Sequence, residues 1–195
     1  LDHFLFTTGG SDANETNFRL ARLYHAVRGE TSRQKILSRR SGFHGITRAA
    51  GSATAIPAYH VFAEPDPLHL NTAAPYCHRC EFGKTPDACA LECAEDIETV
   101  IAREGAESIA ALIAEPILGT GGIVLPPAGY FERLQAICRE HGILFILDEV
   151  ITGFGRTGEW FGMQKFGLQP DLLSLAKGIS SGYAPLGAVA MRRGV

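Results

Sequence analysis

Charge of one sign is what this sequence has least of to spare. Across 195 residues, 18 Lys and Arg stand against 21 Asp and Glu, a formal net charge of −3. A protein that holds a phosphate backbone needs a basic excess, and without one nucleic acid is not an expected partner. Long apolar runs are missing too. The longest fall far short of the roughly 20 residues that cross a bilayer, so no membrane partner is expected either. No leader-like stretch opens the chain. It begins at Leu1 rather than Met and ends at Gly194-Val195, and it is expected to be an internal piece of a longer protein. What remains, 46% hydrophobic and 20% charged residues, is the composition of an ordinary globular protein with one good core.

Cysteine is scarce and odd in number, with five residues at 77, 80, 89, 93 and 138. A chain of this size does not need disulfides, so reduced thiols and a cytoplasmic setting are the default expectation. Four of the five form C-x2-C-x8-C-x3-C within PYCHRCEFGKTPDACALEC. Tetrahedral zinc asks for four soft ligands in paired short spacings, and the count is met. The second pair is looser than a zinc ribbon and no further motif surrounds it. No metal is therefore assigned, and Cys77, Cys80, Cys89 and Cys93 are read as free thiols in a surface excursion.

Apolar runs and helical patterns alternate along the rest of the chain. Strands are expected at 5–8, 35–38, 109–114, 144–147, 172–176 and 187–191. Helices are expected at 12–27, 46–53, 94–104 and 127–141, with a short aromatic one at 160–166. Ser11 is a natural N-cap for the first helix. The stretch from Pro57 to Pro86 has little periodicity and reads as one long excursion. Repeated β-α order with strands apolar on both faces predicts an α/β fold: a mostly parallel sheet in a three-layer α/β/α arrangement. Ligands of such sheets gather at the carboxyl ends of the strands.

Several residues at those ends carry chemistry. Lys177 follows the run Leu172–Ala176, where burial would favour a neutral, nucleophilic amine; a lone lysine at a strand end more often snorkels to the surface. Asp148 closes the apolar LFIL and is followed by Glu149. An acid at that position can bind metal, act as a base or hold a cationic ring nitrogen. The turn Thr8-Gly9-Gly10-Ser11 leads into a helix whose first amides form an anion site. Phe43-His44-Gly45 places an aromatic and an imidazole in a loop after a strand, a stacking platform or plain packing. The match of Gly153, Gly155 and Gly158 to G-x-G-x-x-G is a decoy, because five residues separate it from the strand and no helix opens behind it.

Taken together, TTGGSDANE, FHG, AEPILGTGG, LDEVITGFGRTG and SLAKG closely resemble, in order and over essentially the whole chain, the class III aminotransferases. These are pyridoxal-phosphate enzymes of fold type I, and the resemblance makes residues 1–195 part of the cofactor-binding large domain. The family turn is commonly written SGSEANE, so Gly9-Gly10-Ser11 stands where Ser-Gly-Ser is usual. The resemblance implies that Gly10 and Ser11 hold the cofactor phosphate, and that Phe43 stacks on the pyridine ring beside His44. It likewise implies that Asp148 pairs with the ring nitrogen, Val150 lies against the opposite ring face, and Lys177 forms the Schiff base. Asp148 and Lys177 are then the catalytic pair.

Two departures bear on substrate. Glutamate-using members often carry Glu where Thr120 ends Glu115-Pro-Ile-Leu-Gly-Thr120, and Gln where this chain has Ile151. Thr120 and Ile151 look more like the ω-amino-acid:pyruvate branch, and PYCHRC looks closest to taurine- or β-alanine-type members. The implied substrates are small amines and keto acids, and the implied assembly is a homodimer. An aminomutase or racemase would use the same lysine, aspartate and phosphate turn. A non-enzymatic phosphate- or metal-binding module would leave the strand-end acid and lysine unexplained, and an isolated piece of the domain could be inert.

Overall fold

The computed structural model describes residues 1–61 and 64–195. Seven strands form one sheet in the order β1-β7-β6-β5-β4-β2-β3. They are β1 His3–Thr7, β2 Lys35–Arg39, β3 His69–Thr72, β4 Ile109–Ala114, β5 Leu144–Asp148, β6 Leu172–Leu175 and β7 Gly187–Met191. β3, β2, β4, β5 and β6 pair in parallel, whereas β7 runs antiparallel to both β6 and β1. One reversed strand in seven makes the sheet mostly parallel, as expected.

The alternation of side chains along each strand builds the two cores. Ile36, Ala111, Ile113, Ile146, Leu172 and Val189 face one side and pack with Ala13, Phe18 and Ala21 of α1 (Gly10–Val27) and Ala50 and Ala53 of α2 (Arg48–Ala53). Their chain neighbours Leu37, Leu112, Phe145, Leu147, Leu173 and Ala190 face the other side. There they meet Ile97 and Val100 of α3 (Glu92–Glu104) and Leu134 and Ile137 of α4 (Tyr130–Glu140). Both faces of the sheet are covered, which gives the three layers.

Four local expectations are corrected. The excursion from Pro57 to Pro86 contains a strand, β3, paired in parallel with β2 through Ile36–His69 to Arg39–Thr72. Its sequence HLNT carries no alternation and lies at the sheet edge, so nothing in the pattern announces it. Residues 62 and 63 of that excursion lie outside the described residues. Ser11 is not the N-cap: Gly9 holds that position in extended backbone, and α1 starts with Gly10. The expected aromatic helix at 160–166 shrinks to the single turn α5, Gly162–Lys165. Helix α4 begins at Tyr130 rather than Pro127, after Gly129 at φ 81°.

Candidate active site

The carboxyl ends of β1, β5 and β6 and the loop after β2 open on one cavity of about 300 Å³. Its wall includes Gly10, Ser11, Asn14, Phe43, His44, Asp148, Val150, Ile151 and Lys177. All seven cofactor-site residues expected from sequence are therefore brought to one place. Among the described wall residues, Asp148 is the one acid and Lys177 the one lysine.

Asp148 is buried, 4% exposed, at the end of β5, where it pairs across the sheet with Ser174 of β6. Its Oδ2 accepts from Asn14 Nδ2 at 2.8 Å and faces His44 Nδ1 at 2.9 Å, and its Oδ1 accepts from the Val150 amide at 3.0 Å. His44 is itself positioned: its amide donates to Thr54 Oγ1 at 2.8 Å, and its carbonyl accepts from Asn14 at 2.7 Å. Its Nε2 is buried without a partner.

One end of the cavity is built from α1. Ala13 donates back to Gly9, and the Gly10, Ser11 and Asp12 amides of the first turn find no acceptor among the described residues. Free amides at the start of an 18-residue helix are an anion site. Gly10 is required by close approach: a Cβ there would come within 3.0 and 3.1 Å of the two Val150 methyls. Ser11 does not cap its helix because its hydroxyl is turned to the opposite loop, where Oγ accepts from the Ile46 amide at 3.2 Å. Gly45, at φ +130°, leaves room for it, since a Cβ there would lie 2.4 Å from Ser11 Oγ.

Of the two readings of Lys177, the exposed one holds: it sits two residues beyond the end of β6, opens a single turn at φ 44°, and is exposed to the cavity rather than desolvated. Its ammonium makes no ion pair or hydrogen bond among the described residues. Phe43 is half-buried and meets Tyr59 edge to face, ring centres 5.0 Å apart.

The other residues singled out from sequence stand behind or away from the wall. Glu115 is buried beneath it, with Oε1 accepting from the Phe43 amide at 3.1 Å and Oε2 from the Gly119 amide at 2.8 Å. Burial raises its pKa above the usual carboxylate value. Glu149 points to the opposite side of the strand end, where it accepts from the Gly162 and Met163 amides and the Thr152 hydroxyl at 2.9, 2.6 and 2.5 Å. Ile151 reaches the cavity, but Thr120 is exposed and outside it. The glycines at 153, 155 and 158 lie in turns that no helix follows before Gly162.

Sequence reasoning passed over Asn14. It is 1% exposed, bridges Asp148 to the His44 carbonyl, and accepts from Ser174, whose hydroxyl also takes a bond from Asn17 at 2.7 Å. The signal was legible: Asn14 and Asn17 interrupt the inward stripe of α1 between Ala13 and Phe18. Buried amides in a helix stripe require partners, and here the partners are the site.

A cofactor with an anionic end and a cationic aromatic ring fits this wall: free amides and a Cβ-free cradle at one end, a buried carboxylate at the other. The comparisons with known proteins agree. The family described as "Aminotransferase class-III" matches residues 1–195. Putrescine–pyruvate aminotransferase of Pseudomonas aeruginosa is 42% identical over 193 residues, covering 98% of this chain and 42% of its own length. Gamma aminobutyrate transaminase 3 of Solanum lycopersicum is 45% identical over 186 residues, covering 94% of this chain and 36% of its own length. An (S)-enantioselective omega-transaminase from Thermomicrobium roseum superposes with a TM-score of 0.94 at 50% identity, over 98% of this chain and 43% of that one. The omega-transaminase of Pseudomonas jessenii, solved with PMP, gives 0.95 at 40% identity over 100% and 43%. The chain thus spans about two-fifths of the length of these relatives. It belongs to the class III aminotransferases, a family of pyridoxal-phosphate enzymes.

Proposed function

We propose that this chain is the cofactor-binding large domain of a homodimeric transaminase. Its amino donor is an ω-amino acid or related short amine of the taurine or β-alanine type, and its acceptor is pyruvate. The observation that carries the reading is the cavity at the strand ends, with one buried acid, one exposed lysine and a free helix N-terminus on its wall.

When bound, pyridoxal phosphate supplies an electron sink for the carbanion at the substrate carbon. This chain's residues would do the rest. The Gly10 and Ser11 amides hold the phosphate, and Phe43 and Val150 bracket the ring. Asp148 keeps a negative charge against the ring nitrogen, braced by Asn14 and His44 so that its oxygens cannot turn away. Lys177 Nζ would take the proton from the substrate's amine-bearing carbon and return it to the cofactor carbon on the far side of the nitrogen, which needs a mobile, unpaired amine. Its exposure to the cavity suits that task.

Named relatives act on gamma aminobutyrate and putrescine, amines at the end of a short chain, which supports the donor class. The acceptor is argued from charge. A cation that grips the side carboxylate of 2-oxoglutarate must be masked when the other substrate has none, and an unmasked buried cation costs several kcal/mol. Asp148 is committed to Asn14 and His44, Glu115 to two amides, and Thr120 carries no charge. Thus no carboxylate of this wall is free to mask. Exposed Phe4, Leu5, Phe6 and Tyr183 support a second subunit. Assays of the full-length protein with β-alanine or taurine as donor test the reading. Pyruvate should give a kcat/KM at least about tenfold above 2-oxoglutarate, the scale of one unmasked charge. A higher value for 2-oxoglutarate overturns the acceptor assignment and leaves the family membership standing.

A further inference from the structure

Four of the five cysteines converge on a second cavity, which shares no residue with the first. Cys77 opens the turn Cys77–Arg79 and Cys80 closes it. Cys89 follows the turn Pro86–Ala88, and Cys93 lies in the first turn of α3. All four are free thiols, and all four line the same pocket, with Lys84 beside them. A cysteine used as a small apolar residue belongs in a core. That describes Cys138 in α4, buried within the hydrophobic cluster. It does not describe Cys77, Cys80 and Cys89, which are half-exposed and sit on two turns in a stretch with little regular structure.

One sulfur already has polar neighbours: Leu91, at φ 62°, turns its amide onto Cys89 Sγ at 3.2 Å, and the Cys89 thiol faces Glu92 Oε2 at 3.4 Å. Amide donors to sulfur are a device that tunes metal-bound thiolates.

We propose that Cys77, Cys80, Cys89 and Cys93 hold a thiophilic metal centre as four thiolate ligands, a zinc ion or an iron–sulfur cluster, which pins the stretch between β3 and α3. Loading exchanges the thiol protons for metal–sulfur bonds and releases those protons to solvent. Among the described residues, the one set of three potential ligands with donor atoms within 4.8 Å of one another is Glu98, Glu140 and His141. Those groups are already paired with Arg133 or with each other, a surface ion-pair net. The thiols stand wider apart than that set. A single zinc, with sulfurs at about 2.3 Å, requires the four thiols to close up on it, whereas a cluster spans a broader set. Either centre staples turns that otherwise have few backbone bonds between them.

The test is metal analysis of the full-length protein, purified without chelator or metal-binding tag, once in air and once without oxygen. The expected content is about one zinc per chain, or about four iron with matching acid-labile sulfide, and the element found distinguishes the two centres. It should fall to background in Cys77→Ser with Cys80→Ser and in Cys89→Ser with Cys93→Ser, and persist in Cys138→Ser. Because a double variant can fail to fold, the wild-type protein is also titrated with p-hydroxymercuribenzoate in the presence of a metal-sensing dye. Metal should leave in step with the blocking of four thiols. Background metal in both preparations overturns the proposal. So does metal retained after those thiols are blocked, or an intact mass showing them joined as disulfides.

Discussion

Asp148 ends the central strand β5 and Glu149 follows it, and the two carboxylates meet different environments. Asp148 turns to the cavity, where, besides the Val150 amide, its partners are side chains from α1 and from the loop after β2. Glu149 turns away from it and closes a loop, with two backbone amides and a hydroxyl converging on it. Both are buried, at 4% and 0% exposure, so burial alone does not mark a site. The donors do. Backbone amides within 14 residues along the chain staple a turn, whereas side chains drawn from 104 and 134 residues away converge on a place where something else is to be held.

The sharpest way to break this contrast is to neutralise each acid in turn. Asp148→Asn should leave the cofactor bound while turnover falls by about a thousandfold, or roughly 4 kcal/mol, since an amide cannot supply the charge that keeps a ring nitrogen protonated. Near-wild-type turnover in single-turnover kinetics would remove Asp148 from its role. Glu149→Gln should act on the fold instead. Its amide NH2 meets the Gly162 or Met163 N–H, leaving a buried donor unmatched at a cost of about 1–3 kcal/mol in urea unfolding. An undiminished midpoint would show that the loop does not depend on this carboxylate.

A smaller effect sharpens the same comparison. Burial raises the pKa of Glu149 above its ordinary 4.5, with the Thr152, Met163 and Gly162 hydrogen bonds opposing the rise. The folded protein therefore takes up this proton more readily than the unfolded chain. The group's contribution to stability falls as pH rises from about 4.5 through the raised value. Glu149→Gln removes that term, so the stability gap between wild type and variant should narrow with rising pH across this window. Parallel stability curves would mean that Glu149 titrates alike in both states.

The layers and the site were legible to different depths. The strand-end acid and lysine, the glycine turn and the aromatic loop could be read because each needs a particular residue at a particular strand or helix end. Asn14 shows in the sequence only as a polar break in the inward stripe of α1; its partners Asp148 and Ser174 lie 134 and 160 residues away, a distance that no local pattern encodes. β3 escaped because an edge strand of four residues, three of them polar, lacks the apolar run that marks the central ones. Ser11 was misread as a cap because its hydroxyl serves the Ile46 amide across the cavity mouth, a tertiary contact that overrides the local preference. Lys177 could be read from sequence either as desolvated by the strand before it or as reaching the surface at the strand end. The chain turns at φ 44° just there and presents it to the open cavity.

The central claim is that the lysine after β6 and the acid ending β5 form one catalytic site. Borohydride reduction of the full-length protein loaded with pyridoxal phosphate, followed by peptide mapping, tests it most directly. The account predicts a single pyridoxyl group on Lys177, in the peptide containing LLSLAKG. A pyridoxyl group on Lys35, Lys84 or Lys165, or none on Lys177, would contradict it.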